Sequence, residues 1–227
     1  MGKYLAAVAL LATISVPLWA QDSGFLSDYS RLSPGGSSGF TQVYIAPGAI
    51  DVLARYGSVM VDQPSFVISP DSKYKGVKPD DAVAVGEELR AALIEGIGFS
   101  VRVQDTPGEG AALISWAVSN IRLDKPRRGL LSYSPVGRVA HRVKNKLSDI
   151  VDKTEAFDVV FEVEGTDSAT GQVLFAMVFD LSAEGEEAEW SEALTLANSL
   201  GQRIGCRLNN ARLSVEHRIE CQGIPIR

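Results

Sequence analysis

Histidine and cysteine are scarce in this chain, with two of each among 227 residues. Catalytic triads, most zinc sites and many general acid–base pairs draw on these two residue types. His141 and His217 stand far apart, and neither falls in a His-Glu-x-x-His or nucleophile–base pattern. No Gly-x-Ser-x-Gly elbow, phosphate loop or dinucleotide fingerprint is present. Gly108-Glu109-Gly110 lacks a third glycine and a helical pattern behind it, so it reads as a turn. Glu184, Glu186, Glu187 and Glu189 lack the alternating Asp/Asn ligands of a calcium loop and read as the solvated start of a helix. The residues therefore imply no cofactor, no metal and no recognisable reaction. Positive charge is also in deficit. A formal charge of −6 argues against general nucleic-acid binding, which needs a positive field to release counterions.

Long apolar runs are missing beyond the first 20 residues, so no transmembrane span is expected after them. Those first residues have the form of a signal peptide, 1–20. Lys3 supplies a short basic region, residues 4–16 are almost unbroken apolar, and Pro17-Leu18-Trp19-Ala20 offers a cleavage site before Gln21. Export to the periplasm, or to the periplasmic side of the outer membrane, is the expectation. In that oxidising compartment Cys206 and Cys221 are a candidate disulfide, closing a loop of about 15 residues worth roughly 3 kcal/mol by chain entropy. Geometry objects if Cys206 ends a helix and residues 213–220 form a straight strand. Such a strand spans roughly 25 Å, whereas bridged cysteines need Cα atoms within about 7 Å. Both states of the pair stay open on sequence alone.

What the chain does contain is a strong hairpin pattern over residues 157–181. Phe157, Val159, Phe161 and Val163 alternate with Asp158, Glu162 and Glu164, and Val173, Phe175, Met177, Phe179 and Leu181 again take every other position. Period-two alternation predicts strands with one buried face. Asp167-Ser168-Ala169-Thr170-Gly171 between them predicts the turn. Upstream, residues 41–46 are a short extended candidate, residues 58–69 read as a long strand with Pro64 at a bulge or edge, and residues 99–104 and 112–123 as two further strands that pair across a turn. Pro79-Asp80-Asp81 opens a helix with the stripe Ala82, Val85, Leu89, Ala92, Leu93 and Gly96, stopped by Gly98. A second helix carries Trp190, Ala193, Leu194, Ala197, Leu200, Gly201, Ile204 and Leu208, with Asn209-Asn210 as its cap. Leu213, Val215, His217 and Ile219 alternate as a last short strand.

These elements predict an α+β fold. It has a mostly antiparallel sheet of about five strands with two amphipathic helices on one face, in the order β-α-β-β-(helical insertion)-β-β-α. Residues 21–56 form an N-terminal extended segment docking on the domain. Residues 57–227 form that single domain, with a basic insertion at 125–153. The insertion holds Lys125, Arg127, Arg128, Arg138, Arg142, Lys144 and Lys146 with no acidic residue between the first and last of them. Val136, Val139, Ala140, Val143, Leu147 and Ile150 recur there at helical spacing. A basic amphipathic helix can lie on an anionic surface or in a partner's groove; it can equally pack its stripe on the domain and turn its basic face to an acidic remainder. Arg127, Arg128, Arg138, Arg142, Lys144 and Lys146 are the candidate partner-binding residues.

Four blocks together resemble the DUF3313 family of exported bacterial proteins, mostly lipoprotein-like chains of unknown function. They are Ser23-Gly24-Phe25-Leu26 with Asp28-Tyr29-Ser30; Tyr44 with Pro47-Gly48; Ser69-Pro70-Asp71-Ser72-Lys73-Tyr74-Lys75-Gly76; and Asp167-Ser168-Ala169-Thr170-Gly171. The resemblance covers residues 23–181 and implies an envelope location without an assigned activity. Many members carry a cysteine just before the first block, and this chain does not, so lipid anchoring does not carry over.

Three functional readings follow. The first is a non-enzymatic periplasmic binding or accessory protein contacting an anionic envelope component. The second is a structural subunit of an envelope assembly. The third is an enzyme with an unrecognised site near Asp71, Lys73 and Tyr74.

Overall fold

The computed structural model describes residues 22–36, 39–72, 79–121, 159–180 and 193–221. Its centre is the predicted hairpin, β7 (Val160–Asp167) and β8 (Val173–Asp180), paired antiparallel. The connection behaves as its residue types dictate. The Asp167 carboxylate accepts the backbone N–H groups of Ala169 and Thr170 at 2.9 and 2.7 Å, and Gly171 takes a φ of +73°, which a side chain would resist.

Around this hairpin runs an eight-stranded sheet in the order β1 (Ser33–Pro34), β2 (Gln42–Ile45), β8, β7, β6 (Ala111–Ile121), β3 (Ser58–Val61), β5 (Arg102–Val103), with β4 (Ser65–Ile68) also pairing β6. On one side β8 pairs antiparallel with β2 (Gln42–Ile45), which pairs with the two-residue β1 (Ser33–Pro34). On the other side β7 pairs antiparallel with β6 (Ala111–Ile121). Beyond β6 the sheet turns parallel: β3 (Ser58–Val61) and β4 (Ser65–Ile68) both run alongside it, and β5 (Arg102–Val103) runs alongside β3. The sheet is thus mixed and larger than the five-stranded, mostly antiparallel one the sequence implies. Three particulars depart from the sequence reading. The segment 58–69 is two strands and not one, because Pro64 has no N–H to donate to a ladder. β5 and β6 do not pair with each other, since β3 lies between them. Residues 213–220 contribute no strand; Val215–His217 is a single 3-10 turn.

The break between β3 and β4 leaves carbonyls that a continuous ladder would have satisfied. Side chains take them instead. Arg90 Nε donates to the Val61 carbonyl at 2.8 Å and Trp116 Nε1 to the Asp62 carbonyl at 3.0 Å. Trp116 is fully buried and stacks near Phe161 of the central hairpin, so the break is tied to the core.

Among the described residues three helices lie on one face. The short α1 (Ala49–Leu53) follows β2, and the two long ones are α2 (Pro79–Gly98) and α3 (Ala193–Arg212). As the stripes predict, Val85, Leu89 and Leu93 of α2 and Ala197, Leu200, Ile204 and Leu208 of α3 are buried with Phe161, Val163, Phe175, Met177 and Phe179 of the hairpin. The helices meet backbone to backbone. A Cβ at Gly201 would lie 2.3 Å from the Leu93 carbonyl oxygen, and one at Gly96 2.1 Å from that of Asn198. The opposite sheet face is covered by the N-terminal segment, where Leu26 is buried against Val160, Ala176 and Val178, flanked by Phe25, Tyr29 and Leu32. Among the described residues no helix is long and apolar enough to cross a membrane.

Candidate ligand cleft

The C-terminal segment is folded back onto α3 by two devices. Cys206 and Cys221 are bridged, their Cα atoms 5.6 Å apart. The geometric objection to this bridge fails because the intervening residues turn and do not extend. Asn210, one helical turn beyond Cys206, makes the second tie: its Nδ2 donates to the Ile219 carbonyl at 2.7 Å and its Oδ1 accepts the Ile219 N–H at 3.1 Å. One side-chain amide thus satisfies both polar groups of one peptide residue, as a neighbouring strand would. Asn210 is not the helix cap its position suggests, since α3 continues to Arg212.

This tied-back segment walls a cleft of about 500 Å³. Its floor is the helix face of β2 and β8, with Val43, Ile45, Phe175 and Met177; α1 gives Ile50 and Leu53, and α3 gives Ile204 and Leu208. Three exposed isoleucines, Ile45, Ile50 and Ile219, come from three different elements and all belong to its lining. The polar lining is mainly Arg207, Arg218, Asn210 and Glu220. Arg207 is half-buried with its guanidinium 5.3 Å from the centre of the Phe40 ring, a cation–π position. One turn earlier, Arg203 sits over Phe179 at 4.8 Å and donates to the Gly39 carbonyl. Burial, then the neighbouring Arg203 charge, pushes the Arg207 guanidinium below its ordinary pKa. Positive charge is therefore held at an apolar wall, where water solvates it poorly.

A second polar cluster lies on the opposite face. Glu162 is 2% exposed and accepts hydrogen bonds from the hydroxyls of Tyr29 and Ser119. The Tyr29 hydroxyl in turn accepts the backbone N–H groups of Phe25 and Leu26, both at 3.1 Å. Burial, then the hydrogen bond to Glu162, raises the Tyr29 pKa. Next to it, the Glu164 carboxylate accepts the Ser27 N–H at 3.1 Å. The Ser-Gly-Phe-Leu and Asp-Tyr-Ser block is thus a folded cap wound around one tyrosine hydroxyl, and its polar tips serve docking.

Most of the residues singled out from sequence lie outside the described residues. Arg127, Arg128, Arg138, Arg142, Lys144 and Lys146 lie outside the described residues, as do Lys73, Tyr74, His141 and the Glu184–Glu189 cluster. Asp71 is exposed in the turn after β4, its N–H 3.3 Å from Ser69 Oγ. His217 is exposed, with Nδ1 2.7 Å from Ser214 Oγ. Among the described residues no group of three or more His, Cys, Asp or Glu is placed to hold a metal ion. The cleft was missed from sequence; its one visible trace is the pair Arg203 and Arg207, four apart on a helix whose other buried positions, Ser199 apart, are apolar.

A family model described as a protein of unknown function, DUF3313, matches residues 21–202. The chain belongs to the DUF3313 family. The match takes in the Tyr29 cap, the sheet and the first half of α3, and it ends before Arg203, so Arg207, Asn210 and the Cys206–Cys221 bridge lie beyond the matched residues. A comparison with curated proteins finds no match. Among solved structures the chain is similar to the PelC dodecamer from Paraburkholderia phytofirmans, at 15% identity and a TM-score of 0.40, covering 74% of this chain and 94% of that one. A leucine-to-methionine variant of that dodecamer, from the same organism, matches at 14% identity and a TM-score of 0.37, covering 72% and 94%. At those scores the likeness carries no functional argument.

Proposed function

We propose that this protein is a non-enzymatic periplasmic binding or accessory protein that engages an anionic component of the cell envelope, after export directed by residues 1–20. The observation that carries this reading is the cleft: apolar walls, two guanidinium groups in the lining, and a wall fastened by a disulfide. Disulfides persist in oxidising compartments and are rare in reducing ones, which supports a periplasmic address. The basic stretch at residues 125–146 supports an anionic partner independently of the cleft, through seven positive charges in a chain of net charge −6. The test is fractionation followed by co-sedimentation of the exported protein with phosphatidylglycerol vesicles and with isolated cell wall. Retention by one of these, weakened by salt and by Glu at Arg138, Arg142, Lys144 and Lys146 or at Arg218, is the expected result. A chain that stays inside spheroplasts, or that neither preparation retains at low salt, would sink the reading.

A further inference from the structure

The tied-back segment is held by few contacts. Residues 214–220 are all exposed, and the core cluster reaches Leu208 and Ala211 of α3 and, among the described residues, takes nothing beyond them. The hydrogen bonds of residues 213–219 run within the segment or to residue 210. The Leu213 N–H donates to the Asn210 carbonyl at 3.2 Å and the His217 N–H to the Ser214 carbonyl at 2.9 Å, and Ile219 makes its paired bonds with the Asn210 side chain. Glu220 has a partner as well. Fixing the backbone of one residue costs at least about as much as one net hydrogen bond contributes. These few bonds therefore do not order a segment of this length by themselves. The Cys206–Cys221 bridge supplies the remainder, by removing most of the freedom the segment would gain on release.

We infer that Cys206–Cys221 is an exchangeable latch, opened by an external dithiol and re-formed with Asn210 as its guide, and that its redox state decides whether the cleft keeps the wall of Arg218 and Ile219. The inference rests on the export in the reading above and names a regulator of the same cleft. Cys221 is the accessible partner: it is partly exposed, whereas Cys206 is 9% exposed on α3. A thiolate of the dithiol attacks Cys221 Sγ; the S–S bond breaks, its electron pair leaves on Cys206 Sγ, and that sulfur takes up a proton. The second thiol of the reductant then attacks the mixed disulfide, so the reductant departs oxidised and Cys221 is left as a thiol. Asn210 stands one helical turn beyond Cys206 and holds Ile219, two residues before Cys221, with Nδ2 also 3.0 Å from Cys221 Sγ. It brings the two sulfurs back together after each opening, which raises their effective concentration.

Treating the intact, oxidised protein with dithiothreitol in the absence of denaturant tests this. Expected are complete reduction, exchange of the Ile219 amide at least tenfold faster, and unchanged exchange across α2, β7 and β8. In glutathione buffers the equilibrium constant for closing the bridge should fall at least fivefold in Asn210→Ala and hold in Asn209→Ala. A bridge that dithiothreitol reaches only in denaturant, an Ile219 amide still protected after reduction, or protection lost across the sheet as well overturns the latch. Equal closing constants in Asn210→Ala and wild type overturn the guide. Circular dichroism shows whether the variants fold, and the wild-type exchange data decide the latch if they do not. None of these readouts uses a ligand: vesicle retention absent with the latch intact removes only the binding reading, and the reverse result removes only the latch.

Discussion

Substituting Gly201 by alanine sets two effects against each other, and the structure decides between them. In an isolated helix the change is favourable by about 1 kcal/mol, because glycine loses more backbone entropy on ordering than alanine does. In α3 the new methyl would lie 2.3 Å from the Leu93 carbonyl oxygen, 3.0 Å from the Ile97 nitrogen and 3.1 Å from the Gly96 Cα. All three are backbone atoms of α2, so no rotamer change relieves the clash. The helices must move apart by roughly 1 Å, and a gap of that size forfeits a quarter to a half of the dispersion attraction between the atoms it separates. Leu89, Leu93, Leu200 and Ile204 are almost wholly buried in the same layer and would share that loss. Overpacking of this kind costs about 1–3 kcal/mol; with packing loosened on both helices we expect a net destabilisation of about 2 kcal/mol after the propensity gain. Urea unfolding followed by far-ultraviolet circular dichroism should show the midpoint falling by about 1 M at unchanged slope. Gly98→Ala is the control: nothing lies within 4 Å of its Cβ position and its φ is not left-handed, so propensity acts alone and stability should hold or rise slightly. If Gly201→Ala matched or exceeded wild-type stability, the backbone contact between α2 and α3 would not be a constraint, and the helix pairing described above would be wrong.

Three further outcomes are expected. Reducing the Cys206–Cys221 bridge, or replacing both cysteines by alanine, should cost up to about 3 kcal/mol for a loop of this length; Asn210 keeps part of the segment in place, so Cys206→Ala/Cys221→Ala/Asn210→Ala should speed proteolysis around residues 213–221 more than the double variant, and equal rates would refute the clamp. Tyr29→Phe leaves the buried Glu162 carboxylate without its tyrosine donor and the Leu26 N–H without its acceptor, while the Phe25 N–H keeps Ser23 Oγ, at about 1–3 kcal/mol; amide exchange at Leu26 should accelerate, and unchanged protection would show that the cap does not depend on the hydroxyl. The Tyr56–Asp167 hydrogen bond gives opposite pH limbs. Asp167 is held below its ordinary 3.8, chiefly by the Tyr56 hydroxyl, so its contribution is present above that value and is lost as pH falls through the lower folded pKa; Tyr56, raised by burial and then by Asp167 to about 12, contributes below pH 10 and loses its contribution between 10 and 12. Tyr56→Phe should flatten both limbs of the stability profile and remove one late-ionising tyrosine from the 295 nm titration, and unaltered limbs would refute the assignment.

The hairpin and the two long helices were legible because each carries its own periodicity over enough residues to separate a period of two from one of 3.6. Phe161, Val163, Phe175, Met177 and Phe179 face the helices as their alternation requires, and Pro79 and Gly98 bound α2. Strand β1 could not be read, since two residues hold no period, and β5 is only the middle of the longer strand expected over residues 99–104. Parallel pairing of β3 and β4 with β6 was hidden for another reason: it joins segments some fifty residues apart, and neither strand's pattern says which neighbour it will take. The misread strand at residues 213–220 shows the limit from the other side. Leu213, Val215, His217 and Ile219 alternate correctly, yet Val215 and Ile219 are 73% and 58% exposed, so the alternation never corresponded to a buried face.

That error also concealed the cleft. With the segment drawn as an extended strand, Cys221 is carried away from Cys206, the bridge looks strained, and no wall closes over α3. With the segment turned back, Asn210 supplies the hydrogen bonds of an absent strand, and Arg207 and Arg218, eleven positions apart and unremarkable in the sequence, line one apolar cavity. Sheet and helices are specified by local pattern, whereas the cleft depends on a non-local covalent tie that pattern does not encode. Its chemistry should accordingly be more sensitive to thiol redox state than the fold is. Reduction costs the domain a few kcal/mol at most, but it leaves the wall that carries Arg218 and Ile219 without its covalent tie, held by Asn210. Retention by phosphatidylglycerol vesicles measured before and after reduction separates the two: weaker retention with circular dichroism unchanged is the expected result, and retention that survives reduction would show that the segment is not the wall of the site.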